Sequence, residues 1–251
     1  MRGISSAPLF TEGEEKKQFF DFNKIIEMPE SLNIESGSMT EQCIVYYLTN
    51  RCTLPLRSLT DDRKNLIKEL VVNMFGGEGW AKEVFNRVLE DTKAAEEEKK
   101  EKLYQNGKTY VENYQKYGAT TWYDWRVKHW GTKWNACESE VKGEDVVEFK
   151  TAWSAPIPIV EQLSRMYPEK VVSIMWADED AGSNTGDIAY QNGFAALDEI
   201  TGDAILFNTP DNQSNEAYNL YVALWGKSNC LSKDIDGNWQ HNDCETCHGC
   251  D

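Results

Sequence analysis

An α+β fold is what this sequence predicts, and three observations carry it. Before Cys137, apolar residues recur mostly at helical spacing. From Cys137 the period shortens, and the chain reads strand, strand, helix, strand, strand, helix. Between these two regimes, residues 121–158 gather tryptophan around glycine, threonine and proline. That order of elements favours an α+β sandwich over a parallel, doubly wound sheet.

In chain order, Thr11 to Phe20 reads as a short helix carrying Glu14, Glu15, Lys16 and Lys17. Phe22 to Pro29 reads as an extended segment ended by proline. After a polar loop over 30–39, Thr40 to Leu48 suits a helix capped by Thr40, with Ile44, Tyr47 and Leu48 on one face. A longer helix is expected from Thr60 to Phe75: Thr60 caps it, Asp61 and Asp62 favour its positive end, and Gly76-Gly77 stops it. Residues 79–117 are mostly helical, with an apolar stripe at Trp80, Val84, Phe85 and Val88. The stripe fades into the charged run Ala94 to Lys102, a solvent-exposed helix or arm, and packing resumes after Gly107. Thr120 to Lys133 forms another short helix.

Beyond it, Cys137 to Lys142 and Asp145 to Trp153 are strands joined at Gly143. Pro156 to Tyr167 is a helix, with proline in its first turn and Ser154 as its cap. Lys170 to Ala177 is apolar enough to be a central strand, and Thr185 to Ala195 its antiparallel neighbour. Asn215 to Trp225 is a final helix ended at Gly226.

Composition narrows the function classes. With 42 acidic and 26 basic residues the formal charge is −16, so the surface repels phosphate backbones and direct nucleic-acid binding is not expected. The charge reads as solvated surface, or as nucleic-acid mimicry toward a basic groove. No stretch reaches the ~18 apolar residues of a membrane span. The first ten residues lack a signal-peptide pattern, so a reducing cytoplasm is expected.

The distinctive segment has a physical reading of its own. Trp125, Trp130 and Trp134 lie close in sequence and are expected to cover a sheet edge. Gly131 permits a backbone conformation closed to other residues, and Asn135 suits bonds to local backbone. Its run Trp130-Gly131-Thr132-Lys133-Trp134-Asn135, and the stretch Thr151-Ala-Trp153-Ser-Ala-Pro-Ile-Pro158, resemble the two signatures of the ferredoxin-like domain family known from the plasmid YubB protein and from phage proteins. Phe22 to Pro29 is similar to a third. The resemblance implies a ferredoxin-like antiparallel sheet with a helical insertion over 40–120, in a single α+β domain of 251 residues, and no iron–sulfur cluster. A proline-asparagine-tryptophan-cysteine run, usual in the family's first strand, is absent here.

Candidate chemistry is sparse. Four of the seven cysteines lie in a Cys-rich tail over 228–251, at Cys230, Cys244, Cys247 and Cys250. The C-x2-C spacing of Cys244 and Cys247 lets two thiolates meet one zinc ion, with Cys230, His241 or His248 completing the set. A flexible tail of reduced thiols is the other reading. His129 reads as structural. Asp178, Glu179, Asp180 and Asp187 read as loop residues or, in an enzyme, as a Mg²⁺ site. The leading expectation is a non-enzymatic accessory protein of a phage or other mobile element that binds a host protein, with counter-defence as its setting. A metal-dependent hydrolase and a zinc-stabilised interaction module are the alternatives.

Overall fold

The computed structural model describes residues 9–12, 18–72, 78–143, 145–197, 207–226 and 230–242. They form two compact units, Met28–Val127 on the one hand and Met1–Glu27 with Lys128–Asp251 on the other.

The first unit is helical. Helix α1 is Thr40–Leu48, α2 is Asp61–Ile67, α3 is Glu78–Lys93 and α4 is Glu97–Tyr117, while α5, Trp122–Trp130, begins in it. Its core gathers Ile44, Val45 and Leu48 of α1, Leu70 and Val71, Val84 and Val88 of α3, and Tyr110 of α4. Helix α1 is apolar almost all round and is buried accordingly. It meets α4 so closely that a Cβ on Gly107 would stand 2.0 Å from the Cys43 carbonyl oxygen. Side chains of α4 also tie down the chain ahead of α1. The Tyr110 hydroxyl donates to the Glu35 carbonyl at 2.8 Å, and Asn113 Nδ2 to the Ser31 carbonyl at 2.8 Å.

Several expectations change here. Met39, not Thr40, occupies the cap position of α1, and the Thr40 hydroxyl instead accepts from the Gly37 N–H at 3.3 Å. Thr60 precedes α2 with extended backbone but makes no side-chain cap bond. The helix expected to Phe75 is α-helical only to Ile67 and widens into a π turn over Lys68–Val72; Gly76-Gly77 lies outside the described residues. The mostly helical stretch expected over 79–117 is two helices, separated at Ala94–Glu96. At that point the apolar stripe ends, and the Thr92 hydroxyl bonds back to the Val88 carbonyl at 2.7 Å, a contact that bends helices.

The second unit carries the strands. Strands β1 (Phe10–Glu12) and β2 (Gln18–Phe20) pair antiparallel at the two ends of the helix expected over Thr11 to Phe20, whose residues 13–17 lie outside the described residues. Long-range packing overrides the local propensity: the Phe20 ring lies 5.4 Å from Phe149 and 5.8 Å from Phe22. Phe22–Lys24 is a 3₁₀ turn rather than an extended segment, because the Asp21 carboxylate accepts from the Asn23 N–H at 3.0 Å.

Strands β3 (Cys137–Lys142) and β4 (Val146–Lys150) form the expected hairpin, but β4 ends at Lys150 and not at Trp153, whose φ of +67° is not that of a strand. Its inner side brings Phe149 onto Phe22. Its other side is a ladder of ion pairs, Lys142 with Glu140 and Glu148, and Lys150 with Glu138. Helix α6 (Ile157–Met166) follows, then β5 (Val171–Trp176) and β6 (Gly186–Gln191), paired with Ile174 opposite Ile188. Strands β7 (Phe194–Ala195) and β8 (Phe207–Asn208) pair with β6 as well. Among the described residues β6 is therefore the middle strand, and β5 pairs with β6 alone. The apolar run of β5 reflects packing by one face, with Val171 and Met175 left exposed.

Helix α7 (Asn215–Trp225) is capped by the Ser214 hydroxyl on the Ala217 N–H at 3.1 Å. A hairpin absent from the sequence reading ends the described chain, β9 (Leu231–Lys233) with β10 (Trp239–His241). Asp234 builds its turn by accepting from the N–H groups of Asp236 and Asn238, both at 2.9 Å. Among the described residues no helix is long and apolar enough to cross a membrane.

Two outcomes test this packing. Gly107→Ala should destabilise the chain by about 3 kcal/mol in urea unfolding, since the added methyl overlaps backbone that cannot move aside. Burial pushes the Cys43 thiol up to about 11, so at pH 8 iodoacetamide should label exposed Cys137 and spare Cys43 in the folded chain, as read by peptide mass mapping.

Candidate binding surface

Two stretches of the second unit, Trp130–Asn135 and Thr151–Pro158, are interlocked. The Thr132 hydroxyl donates to the Ala152 carbonyl at 2.9 Å, and the Ser154 hydroxyl donates to the Gly131 carbonyl. Ser154 thus closes the lock rather than capping α6, whose cap position is Pro156. Gly131 has φ +82°, and a Cβ there would stand 2.8 Å from Pro158 Cδ and 2.9 Å from the Ala155 carbonyl oxygen. No other residue fits both the conformation and the space.

The inner side of this lock faces the N-terminal segment. Trp130 is 1% exposed, its Nε1–H donates to the Ile26 carbonyl at 2.9 Å, and its ring packs edge-on against Phe22. Asn135 holds the same segment with both ends of its amide. Its Oδ1 accepts from the Phe22 N–H at 2.8 Å and the Ala136 N–H at 2.9 Å, and its Nδ2 donates to Asp21 Oδ1 at 2.7 Å. The local role expected for Asn135 accounts for only one of these bonds. Asp21 is buried and also accepts from the Thr11 hydroxyl, so one carboxylate joins β1, the 3₁₀ turn and the tryptophan turn.

The outer side faces solvent. Trp134 was expected to cover a sheet edge, but it is 52% exposed, and it is Trp130, four residues earlier, that is buried. Trp153 is 75% exposed and has φ +67°, a conformation rarely adopted by a bulky residue. The Lys133 ammonium lies between the two indoles, 3.2 Å from the Trp153 ring centroid and 4.5 Å from that of Trp134. The Trp153 carbonyl accepts from Asn184 Nδ2 at 3.2 Å, which anchors the loop's backbone and leaves the indole projecting.

Other candidates are placed differently. His129 is half-buried, and burial, reinforced by Lys128, holds its imidazolium below the ordinary histidine range. It is therefore neutral in the folded chain at pH 7, and stability from this group is lost as pH falls below the unfolded value. Asp178 accepts from the Asp180 N–H at 3.1 Å in a turn, and Asp187 is buried on β6. Among the described residues no three His, Cys, Asp or Glu side chains gather as a metal-holding group. Cys230 is buried just before β9, and His241 ends β10. Cys244, Cys247, His248 and Cys250 lie outside the described residues.

Antiparallel strands in small sheets, α6 and an interlocked tryptophan turn make this an α+β arrangement, and the family match gives it the ferredoxin-like name. Residues 129–219 match the family described as ferredoxin-like domain in Api92-like protein. The match begins one residue before Trp130 and runs into α7. No curated protein and no solved structure matches the chain.

Asn135→Ala should cost about 3 kcal/mol in chemical denaturation, because it leaves the Phe22 N–H and the Asp21 carboxylate without their partner in a buried setting. A loss below about 1 kcal/mol would mean that the amide is not what holds the segment.

Proposed function

We propose that the chain is a non-enzymatic binding module of a phage or other mobile element, and that it engages a host protein through Trp134 and Trp153. Blocking a host defence system is the role proposed in that setting. The supporting observation is Trp153, a large apolar side chain projecting into solvent from a left-handed backbone position. Such a conformation costs about 1–3 kcal/mol and clusters at functional sites. Stacking of Lys133 offsets about 0.5–1 kcal/mol of this, as at other exposed cation–π pairs. Tryptophan is also the side chain most enriched where binding energy concentrates at interfaces. The −16 charge argues against nucleic acid as the ligand and in favour of a protein.

Trp153→Gly separates binding from folding. Glycine accepts φ +67° without strain, so unfolding stability should stay within about 1 kcal/mol of the parent. Capture of the partner from host lysate, quantified by mass spectrometry, should fall tenfold or more, by about 1.4 kcal/mol. Undiminished capture by the folded variant would remove Trp153 from the interface.

A further inference from the structure

The ligand class follows from what the outer surface offers, and this step rests on the binding role just proposed. Lys133, Trp134 and Trp153 present an ammonium with three N–H donors, two indole N–H donors and the faces of two rings. None of these side-chain groups is an acceptor. Among the described residues, the ammonium has ring contacts but no ion pair, and neither indole N–H meets a protein acceptor. The two ring centroids are no more than about 8 Å apart, since both lie on the same ammonium.

A complementary ligand supplies acceptors, apolar rings and little charge. Acidic segments are repelled by a chain of net charge −16. Basic segments meet the like charge of the Lys133 ammonium beside both rings. A proline-rich segment fits each requirement. Proline has no N–H, its carbonyls are free in the polyproline II helix, and its rings pack on aromatic faces. Prolines two or three residues apart in that helix are separated by ~6–9 Å, within reach of the two indoles together. We infer that Trp134, Trp153 and Lys133 form a docking site for a proline-rich, polyproline II segment of the partner protein.

Titration of the full, ¹⁵N-labelled chain with a synthetic peptide of repeating Pro-Pro-Leu triplets tests this. Two indole N–H resonances, assigned with Trp134→Phe and Trp153→Gly, should shift and saturate. Lys133→Met, which keeps the aliphatic stem, should weaken the titration about tenfold, a loss of 1.4 kcal/mol. The same peptide with alanine in place of proline should leave both resonances unmoved. Equal shifts with the alanine peptide, shifts only with an arginine-rich peptide, or no shift with any peptide would each overturn the proline-rich assignment. In the last case, loss of captured host partner by Trp153→Gly would keep the surface as the interface and reject only the ligand class. Retention of that partner would reject the interface too.

Discussion

The Asn135 amide is the constraint on which the second unit's organisation turns. It joins the Phe22 N–H and the Asp21 carboxylate to a turn more than a hundred positions later in the chain. Each of those groups is buried, where an unmet donor or acceptor costs about 1–3 kcal/mol. A short segment with little core of its own is thereby held against the aromatic cluster of Phe20, Phe22, Trp130 and Phe149. Aspartate at position 21 then serves three neighbours at once, so displacing any one of them disturbs the rest.

Anchoring of this kind explains how the outer side of the same turn can be so unlike the inner. Trp130 and Asn135 are held by hydrogen bonds to Ile26 and Phe22, and Gly131 closes tightly on the 151–158 stretch. Trp134 and Trp153 are thus held by a rigid support while remaining exposed. A flexible loop carrying two indoles would bury them against its own surface to remove apolar area from water. Here both indoles stay exposed, Trp134 at 52% and Trp153 at 75%, although the Lys133 ammonium stands against each ring.

Local chemistry was legible in the sequence wherever neighbours in the chain decide the outcome. The bounds of α1 and α7 follow apolar periodicity, and the β3–β4 hairpin follows the change of period at Cys137 and its turn at Gly143. The tryptophan turn could be found from composition, but which of its indoles is buried depends on contacts with Ile26 and Phe22, distant in sequence. The same distance governs Thr11 to Phe20, where local charge suggests a helix while the described ends pair as strands, Phe10 opposite Phe20. Strand β5 looked central because apolar content does not reveal which face or edge is covered. The β9–β10 hairpin has a local signal in Asp234-Ile-Asp-Gly-Asn238, a turn sequence between two short strands. A strained, projecting Trp153 leaves no sequence mark at all, since φ is a property of the folded backbone.

The charged face of the β3–β4 hairpin has its own bearing on how the protein behaves in a crowded solution. Strand β4 pairs only with β3 among the described residues, so its far edge carries backbone groups able to recruit another chain. One side of the hairpin carries Glu138, Glu140, Lys142, Glu148 and Lys150, and charged side chains of this kind are one of the ways in which an exposed strand edge is blunted against further pairing. An incoming strand meets that charge before it can complete a ladder, so the hairpin carries its own safeguard against edge-to-edge association.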